Sequence, residues 1–170
     1  VALEPDLVLG FSDLQADIAA ELVRRGIEVH VFNQRSVADI LRMLRTLGGM
    51  IGCEAKTTAL VASLEDGLTG IRAAAAQLDR RPRVYFEEWD EPQISAIRWV
   101  SELIGIAGGD DVFPELALEP LGKGRIIADP LEAVRRAPDI VFGSWCGKKF
   151  APRAVAARPG WHDVPAVRDG

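Results

Sequence analysis

The acidic segment at residues 87–91 carries the side chains with the most obvious capacity for chemistry. It reads Glu-Glu-Trp-Asp-Glu and follows a short apolar run that is typical of a β-strand. Paired carboxylates such as Glu87 and Glu88 can act as general acid and base, as in a glycosidase, but these two are sequence neighbours without an identifiable partner. Two other interpretations stay open. The segment is either a solvated acidic turn or a ligand-contact loop, with Trp89 as an apolar wall beside Asp90.

A second candidate lies at residues 143–148, which read Gly-Ser-Trp-Cys-Gly-Lys after another predicted strand. Trp-Cys-Gly resembles the start of a thioredoxin redox motif, but a lysine replaces the second cysteine, which excludes a dithiol cycle. Cys146 could instead be a nucleophile with His162 as its base, so a Cys146-dependent hydrolase is one alternative. The other is a partly buried thiol in a glycine turn at Gly147, with Trp145 lining the space above the sheet edge.

Metal and phosphate chemistry find little support in the sequence. His30 lies inside a predicted strand, and no HxxH or HxxxH spacing indicates a zinc site. Residues 122–125 are glycine-rich and basic but lack the length of a P-loop and its following Ser or Thr, so they are interpreted as a turn. Cys53 and Cys146 are far apart and encode neither a disulfide framework nor a CxxC motif.

The composition limits the class of protein. Hydrophobic residues make up 48% of 170, enough for a real core, and the net charge of −5 argues against a nucleic-acid partner. No apolar stretch approaches the roughly 20 residues of a bilayer span, so direct membrane insertion is not expected. The N-terminus lacks the basic and apolar regions of a signal peptide, which predicts a mature, clipped or cytosolic chain.

Predicted strands alternate with predicted helices, which favours an α/β fold with mostly parallel sheets. The strands are predicted at residues 7–9, 27–32, 83–87, 125–127 and 139–142. Helix N-caps are predicted at Ser12, in a capping box with Gln15, and at Ser36, whose helix should stop at Gly48 and Gly49. Pro92 fits the first turn of a further helix.

Ligands of parallel sheets gather at the carboxyl ends of the strands. The segments that follow the first two predicted strands, Phe11-Ser12 and Asn33-Gln34, therefore gain weight as binding candidates although each has a simpler interpretation as cap or loop. The segments at residues 87–91 and 143–148 follow later strands in the same way. We expect the functional groups to lie in these loops.

Residues 54–79 are predicted to form one long helix around which the chain is organised. Its apolar residues recur at steps of three and four, and its 26 positions span about 39 Å, enough to touch two packed units. The domain prediction is a partial N-terminal lobe at residues 1–53, a bridging spine helix at 54–80 and a C-terminal lobe at 81–170. Only two strands are predicted before the spine, and a two-stranded sheet is marginal in water, so we expect sequence to be missing at the front.

Four segments together resemble the periplasmic-binding family of cobalamin and iron-siderophore uptake, most closely its cobalamin-binding branch. They are the L-x-P-D-L-V-L strand at residues 3–9, the S-x-x-x-I-x-x-x-x-x-x-L helix at 36–47, the helix and A-G-G turn at 99–110, and the R-P-G-W-x-x-x-P-A-V-x-x-G tail at 158–170. Their order and spacing cover essentially the whole chain.

The resemblance implies two Rossmann-like α/β lobes with mostly parallel sheets, bridged by one long helix, with an incomplete N-terminal lobe. It implies a binding protein rather than an enzyme: the substrate-binding component of an ABC importer, which captures a cobalamin-like corrinoid or an iron-siderophore between its lobes and presents it to a permease. No cofactor is required, with cobalamin or a ferric siderophore as the ligand. The location implied is periplasmic or cell-surface-anchored. A cytosolic corrinoid or metal-chelate sensor of the same fold is the alternative if the gene lacks an export signal.

The site is predicted from two sources, the positions of residues just after the predicted strands and the resemblance to the periplasmic-binding family. Phe11 resembles an aromatic wall of the N-terminal lobe, and Trp89 and Trp145 resemble walls of the C-terminal lobe, which suits a corrin because it is a broad, mostly apolar disc fringed with amides. Asp17 resembles a carboxylate that docks on permease arginines, whereas lysines 148 and 149 stand near the expected second docking acid. The predicted ligand-binding residues are Phe11, Ser12, Asn33, Gln34, Trp89, Asp90, Trp145, Cys146 and Gly147.

Overall fold

The computed structural model describes residues 3–169, so Val1, Ala2 and Gly170, the last residue of the tail motif, lie outside it. The described residues divide into two compact units with the boundary between Thr58 and Ala59, inside a long helix. Within this described range, no helix combines the length and the apolar character needed to cross a bilayer.

The first unit is built on two parallel strands. Its elements are β1 (Val8–Phe11), α1 (Ala16–Arg24), β2 (Val29–Phe32), α2 (Val37–Met50) and the start of α3 (Glu54–Ala75). β1 and β2 pair in register from Val8 opposite Val29 to Phe11 opposite Phe32, and α1 supplies the crossover that a parallel pair needs. The two strands therefore end at the same edge.

The capping box predicted at Ser12 does not form. Ser12 has a φ of 64°, and its Oγ accepts a hydrogen bond from the N–H of Leu14 at 3.3 Å. Its own N–H donates to the carbonyl of Phe32 at 2.8 Å, so no donor remains there for Gln15. The Gln15 side chain accepts from the N–H of Phe11 at 2.6 Å instead. The turn was predicted at the correct residues, but the prediction of its hydrogen bonds was wrong.

The N-cap predicted at Ser36 is confirmed. Its Oγ accepts from the N–H of Asp39 at 3.0 Å, and the Asp39 carboxylate accepts from the N–H of Ser36 at 3.1 Å, which satisfies two otherwise unpaired donors. The predicted stop at Gly48 and Gly49 is wrong, since α2 continues to Met50. Gly48 is buried against the side chain of Thr57 and acts as a contact point between helices rather than a terminator.

Helix α3 is one continuous helix, as predicted, but it ends at Ala75 rather than at residue 79. The apolar residues that recur at steps of three and four, from Leu60 to Leu78, do not form its buried face. Val61, which is not one of these residues, is fully buried, because periodicity shows which residues share a face and not which face is covered. Four of the recurring residues expose 41–51% of their surface: Leu60, Leu64, Ile71 and Leu78.

The second unit is built around one central strand. Its elements are β3 (Arg83–Asp90), β4 (Gln93–Ser95), α4 (Arg98–Ile106), β5 (Asp110–Asp111), α5 (Leu131–Arg135), β6 (Ile140–Gly143), α6 (Pro152–Ala156) and α7 (Pro165–Arg168). β3 pairs in parallel with β5 and β6 and antiparallel with β4. The predicted α/β class with mostly parallel pairing is confirmed. Its main core comprises Tyr85, Phe113, Ile127, Ala133, Trp145, Val155, Trp161 and Val164.

The loop predicted after Glu87 is part of β3, which continues to Asp90 and turns through a hairpin into β4. Pro92, predicted in the first turn of a helix, lies in that hairpin, and the next helix begins only at Arg98. Residues 88–90 read as a loop because two of the three are acidic, but antiparallel pairing places Trp89 opposite Ile94 and Asp90 opposite Gln93, with a bulge at Glu88.

The strand predicted at residues 125–127 is replaced by a 3-10 helix at Gly122–Arg125 and one isolated bridge from Ile126 to Ile94. Arg125 is 2% exposed, and its guanidinium binds the Glu88 carboxylate at 2.5 and 3.1 Å. This contact spans 37 residues of sequence. The local pattern of three residues therefore could not reveal it.

The stability of the second unit is expected to depend on Asp139 at acid pH. The N–H of Arg83 and the guanidinium of Arg80 hydrogen-bond to this carboxylate and lower its pKa from 3.8 to about 2. Because the folded-state pKa is the lower one, the stabilisation is complete above the unfolded value of 3.8 and is lost as the pH falls towards 2. The change amounts to at most about 2 kcal/mol of unfolding free energy.

This dependence can be measured as urea unfolding of Asp139→Asn and wild type between neutral pH and the acid limit. The asparagine variant should be less stable at neutral pH, and the gap should close on acidification. Asp66→Asn is the control, since Asp66 is exposed on α3 and makes no ion pair with any residue in the described range. Parallel pH profiles for Asp139→Asn and wild type would contradict the prediction.

Candidate functional site

The candidate site of the second unit lies where β3 and β6 end. These parallel strands pair up to Glu87 opposite Gly143, and the N–H of Ser144 donates to the carbonyl of Glu87 at 2.9 Å. The segment after β6 therefore starts beside the last residues of β3. This arrangement places the predicted residues Trp89, Asp90, Trp145, Cys146 and Gly147 on two adjacent chain segments.

Lys148 joins these two segments. Its Nζ lies 4.3 Å from the ring centroid of Trp89, 5.4 Å from that of Trp145 and 2.5 Å from Oδ1 of Asp90. The ammonium lowers the pKa of the Asp90 carboxyl. Cation-π and charge contacts thus converge on one lysine. In the sequence, Lys148 was noted only because a lysine stands near the position where a second acidic docking residue was expected. Its position three residues after Trp145 was visible but was not used.

A fully buried carboxylate lies beneath the aromatic residues. Glu87 is 0% exposed and accepts hydrogen bonds from the Tyr85 hydroxyl at 2.8 Å and from Nε1 of Trp145 at 3.0 Å. The two terminal nitrogens of Arg158 bind its two oxygens at 2.6 and 2.9 Å. Burial and the adjacent Glu87 raise the pKa of Tyr85. Trp145 is therefore a fixed residue whose polar end is already hydrogen-bonded.

A cavity of about 720 Å³ opens beside this network, between the β3-β4 hairpin, the segment before α5 and the segment after α6. Its polar residues include Asp90, Gln93 and Arg158. Its apolar walls include Pro92, Ile126, Ile127, Leu131, Trp145 and Trp161. The volume lies within the range of about 300–1,000 Å³ that is usual for small-molecule sites. Gln93 and Arg158 were not among the predicted ligand-binding residues, and Arg158 was noted only as the first residue of the tail motif.

The two carboxylates named in the acid-base hypothesis are both held in ion pairs. Glu87 is bound by Arg158 and Glu88 by Arg125. Cys146 is exposed and makes no hydrogen bond with any residue between 3 and 169. Nε2 of His162 pairs with Asp163 at 2.9 Å. Gly147 adopts a φ of 75°, which provides the glycine turn that the sequence suggested.

The first unit collects its predicted residues at the ends of β1 and β2. Phe11 is 42% exposed, and the guanidinium of Arg35 lies 5.0 Å from its ring centroid. Asn33 is exposed, whereas Ser12 is 1% exposed and already hydrogen-bonded. Gln34 is half-buried, and its Oε1 has no hydrogen-bond partner in the described structure. Arg35, which belongs to the same segment after β2, is an additional polar group at this edge that was not among the predicted ligand-binding residues.

Two further expectations concern docking and metals. Asp17 is exposed in the first turn of α1 and forms no ion pair with another described residue, as a docking carboxylate would require. Among residues 3–169, no three His, Cys, Asp or Glu side chains are grouped so that they could hold a metal ion.

The sequence of residues 1–170 matches the family described as periplasmic binding protein over its whole length. The chain belongs to this family. The recognition made from sequence motifs is thereby confirmed. None of the curated proteins searched matches the sequence.

Solved structures of periplasmic binding proteins share the fold. An ABC transporter substrate-binding protein from Listeria monocytogenes EGD-e superposes with a TM-score of 0.78 at 19% identity, covering 99% of this chain and 66% of that one. The periplasmic heme-binding protein RhuT from Roseiflexus sp. RS-1 gives 0.78 at 20% identity, with coverage of 99% and 66%. The periplasmic vitamin B12 binding protein BtuF of Vibrio cholerae gives 0.69 at 16%, with coverage of 99% and 64%.

The chain thus spans just under two thirds of the length of these periplasmic binding proteins. Identities of this size establish the fold and do not identify a ligand. The family consists of binding proteins rather than enzymes, which agrees with the arginine-bound carboxylates and the isolated thiol.

Proposed function

We propose that the chain is the substrate-binding component of an ABC importer and binds a broad, flat, largely apolar compound of the cobalamin, heme or ferric-siderophore type. The observation that carries the proposal is the 720 Å³ cavity at the carboxyl edge of β3 and β6, which Trp145 lines, together with Trp89, whose ring faces the same Lys148 ammonium as Trp145. Similar folds include proteins described as heme-binding and as vitamin B12 binding.

The chemistry of the cavity suits such a ligand. Indole rings and aliphatic walls provide area for a macrocycle face, and a small number of polar groups at the margin fix its orientation. The buried Glu87 network holds Trp145 in place, so this wall is formed before the ligand arrives. A preformed wall reduces the entropy cost of binding.

The remaining parts of the proposal concern partners and location. An importer component presents its ligand to a membrane permease, and Asp17 is the candidate docking residue on α1. The protein would then work outside the cytoplasm, in the periplasm or at the cell surface. No bond of the ligand is made or broken, and no cofactor takes part.

The proposal is tested by titrating the protein with cyanocobalamin, hemin and a ferric hydroxamate siderophore while tryptophan fluorescence is recorded. Trp145 and Trp161 line the cavity, and the Trp89 ring lies 4.3 Å from the Lys148 Nζ that also faces Trp145, so a bound chromophore should quench most of the emission of the four tryptophans. Trp89→Leu should weaken binding of the active ligand about tenfold, because it removes one aromatic contact surface.

Trp99→Leu is the matched control. Trp99 packs against the separate cluster around Val100 and Ile104, so its removal should leave the affinity unchanged. If none of the three ligand types quenches fluorescence after correction for absorbed light, the proposed function is wrong. If Trp89→Leu binds as tightly as wild type, Trp89 is not a ligand wall.

A further inference from the structure

Gln93 is an unpartnered polar residue in the cavity wall. It lies at the start of β4, is 7% exposed and lines the 720 Å³ cavity. Its Oε1 is buried without a hydrogen-bond partner, and its side-chain amide makes no hydrogen bond with any other residue that the structure describes. Its backbone is fixed, since it pairs with Asp90 in the hairpin and its carbonyl accepts from the N–H of Ile127 at 2.9 Å.

Such an amide is costly to the unliganded protein. A buried polar atom without a partner loses its hydration and gains nothing in exchange, and such groups in native proteins usually have a functional explanation. A primary amide carries both a donor and an acceptor, and another primary amide satisfies both at once in a pair of hydrogen bonds, whereas an ionised carboxylate can only accept.

The charges around Gln93 discriminate between possible partners. Arg158 is the cation that lines the cavity, and Glu87 already occupies both of its terminal nitrogens. The nearby ammonium of Lys148 is paired with Asp90. Glu91 lines the same wall, and its carboxylate forms no ion pair with another described residue. A ligand carboxylate placed here would meet the negative charge of Glu91 and two cations whose charges are already neutralised by Glu87 and Asp90.

We propose that this cavity binds a neutral primary-amide group at the rim of the ligand, paired with the Gln93 amide, and disfavours a carboxylate in the same position. The inference rests on the proposed function, since it assigns a ligand class to the same site. It favours macrocycles fringed with amides over those fringed with carboxylates.

The direct test compares two corrinoids with the same ring and metal. Dicyanocobinamide carries amides, and dicyanocobyrinic acid carries carboxylates on the same positions of the corrin. Calorimetric titration at neutral pH should show at least about tenfold tighter binding of the amide form, the equivalent of one hydrogen bond together with charge repulsion. Equal or tighter binding of the carboxylate form overturns the inference.

Gln93→Met tests the residue itself, because methionine has nearly the same shape without the amide. The variant should bind dicyanocobinamide about tenfold more weakly and should reduce the difference between the two corrinoids. Its unfolding midpoint without ligand should stay the same or rise, since an unpaired polar group has been removed. Gln77→Met, at an exposed position after α3, should change neither property.

The outcomes separate this inference from the proposed function. If hemin or the carboxylate corrinoid binds as well as dicyanocobinamide, or if Gln93→Met keeps full affinity, the amide assignment fails while the binding function stands. A fall in the unliganded midpoint of Gln93→Met with unchanged affinity would show a purely structural role. If no corrinoid, hemin or siderophore binds, both proposals fail.

Discussion

Replacing Arg158 with methionine is expected to lower the free energy of unfolding by roughly 3–5 kcal/mol. The substitution leaves the Glu87 carboxylate fully buried without its cation, and the two remaining donors, from Tyr85 and Trp145, cannot neutralise a charge. An uncompensated buried charge is among the most destabilising changes in a folded protein. Urea unfolding followed by circular dichroism measures the loss.

Two further variants show whether the unpaired charge is the cause. Glu87→Gln combined with Arg158→Met should be clearly more stable than Arg158→Met alone, because no charge is left buried. Arg153→Met, at an exposed position on α6 five residues before Arg158, should change the stability by less than about 0.5 kcal/mol. A loss below about 1 kcal/mol for Arg158→Met would mean that solvent reaches Glu87.

Substituting alanine for Gly48 is expected to destabilise the first unit by about 1–3 kcal/mol. A Cβ at this position would lie 1.9 Å from Oγ1, 2.7 Å from Cγ2 and 2.8 Å from Cβ of Thr57. Alanine has a helix propensity about 1 kcal/mol better than glycine, so propensity alone predicts the opposite sign. The steric overlap is the larger effect because it involves atoms close to the α3 backbone.

The adjacent glycine provides the matched control. A Cβ on Gly49 would meet nothing nearer than Oε1 of Glu54 at 3.8 Å, so Gly49→Ala should raise the stability by about 0.5–1 kcal/mol. Adding Thr57→Ala to Gly48→Ala should recover part of the loss, since it removes the two nearest atoms. Thermal unfolding recorded for both single variants tests the sign directly, and a stabilised Gly48→Ala would contradict the close approach of the helices.

Local patterns in the sequence predicted the elements that local physics determines. The N-cap predicted at Ser36 forms with Asp39, three residues away, and the first two parallel strands follow from apolar runs separated by a helix. Pairing between distant segments was not visible. Residues 88–90 appeared as a polar loop because the partner strand β4 is only three residues long and directly follows Pro92 in the sequence.

The sequence predicted the proximity of residues near strand ends, but not the contacts between distant residues. Trp89 lies in the last part of β3 and Trp145 follows β6, and parallel pairing of these strands brings the two segments together. Glu87 and Arg158 are 71 residues apart, and nothing in the sequence links them. The side-chain amide of Gln93 has no hydrogen-bond partner among the described residues. Only the three-dimensional structure can show this, because the partners that it could have are distant in sequence.

The burial of Tyr85 and its hydrogen bond to Glu87 allow the opening of the aromatic core to be followed by tyrosine absorption. Tyr85 is the single tyrosine of the sequence, and its phenol is fully buried with a raised pKa. We therefore expect the Tyr85 phenol of the folded protein to stay protonated at a pH slightly above 10, where a solvated tyrosine ionises. The appearance of the tyrosinate absorption band consequently marks opening of the aromatic core around the buried carboxylate rather than simple surface titration.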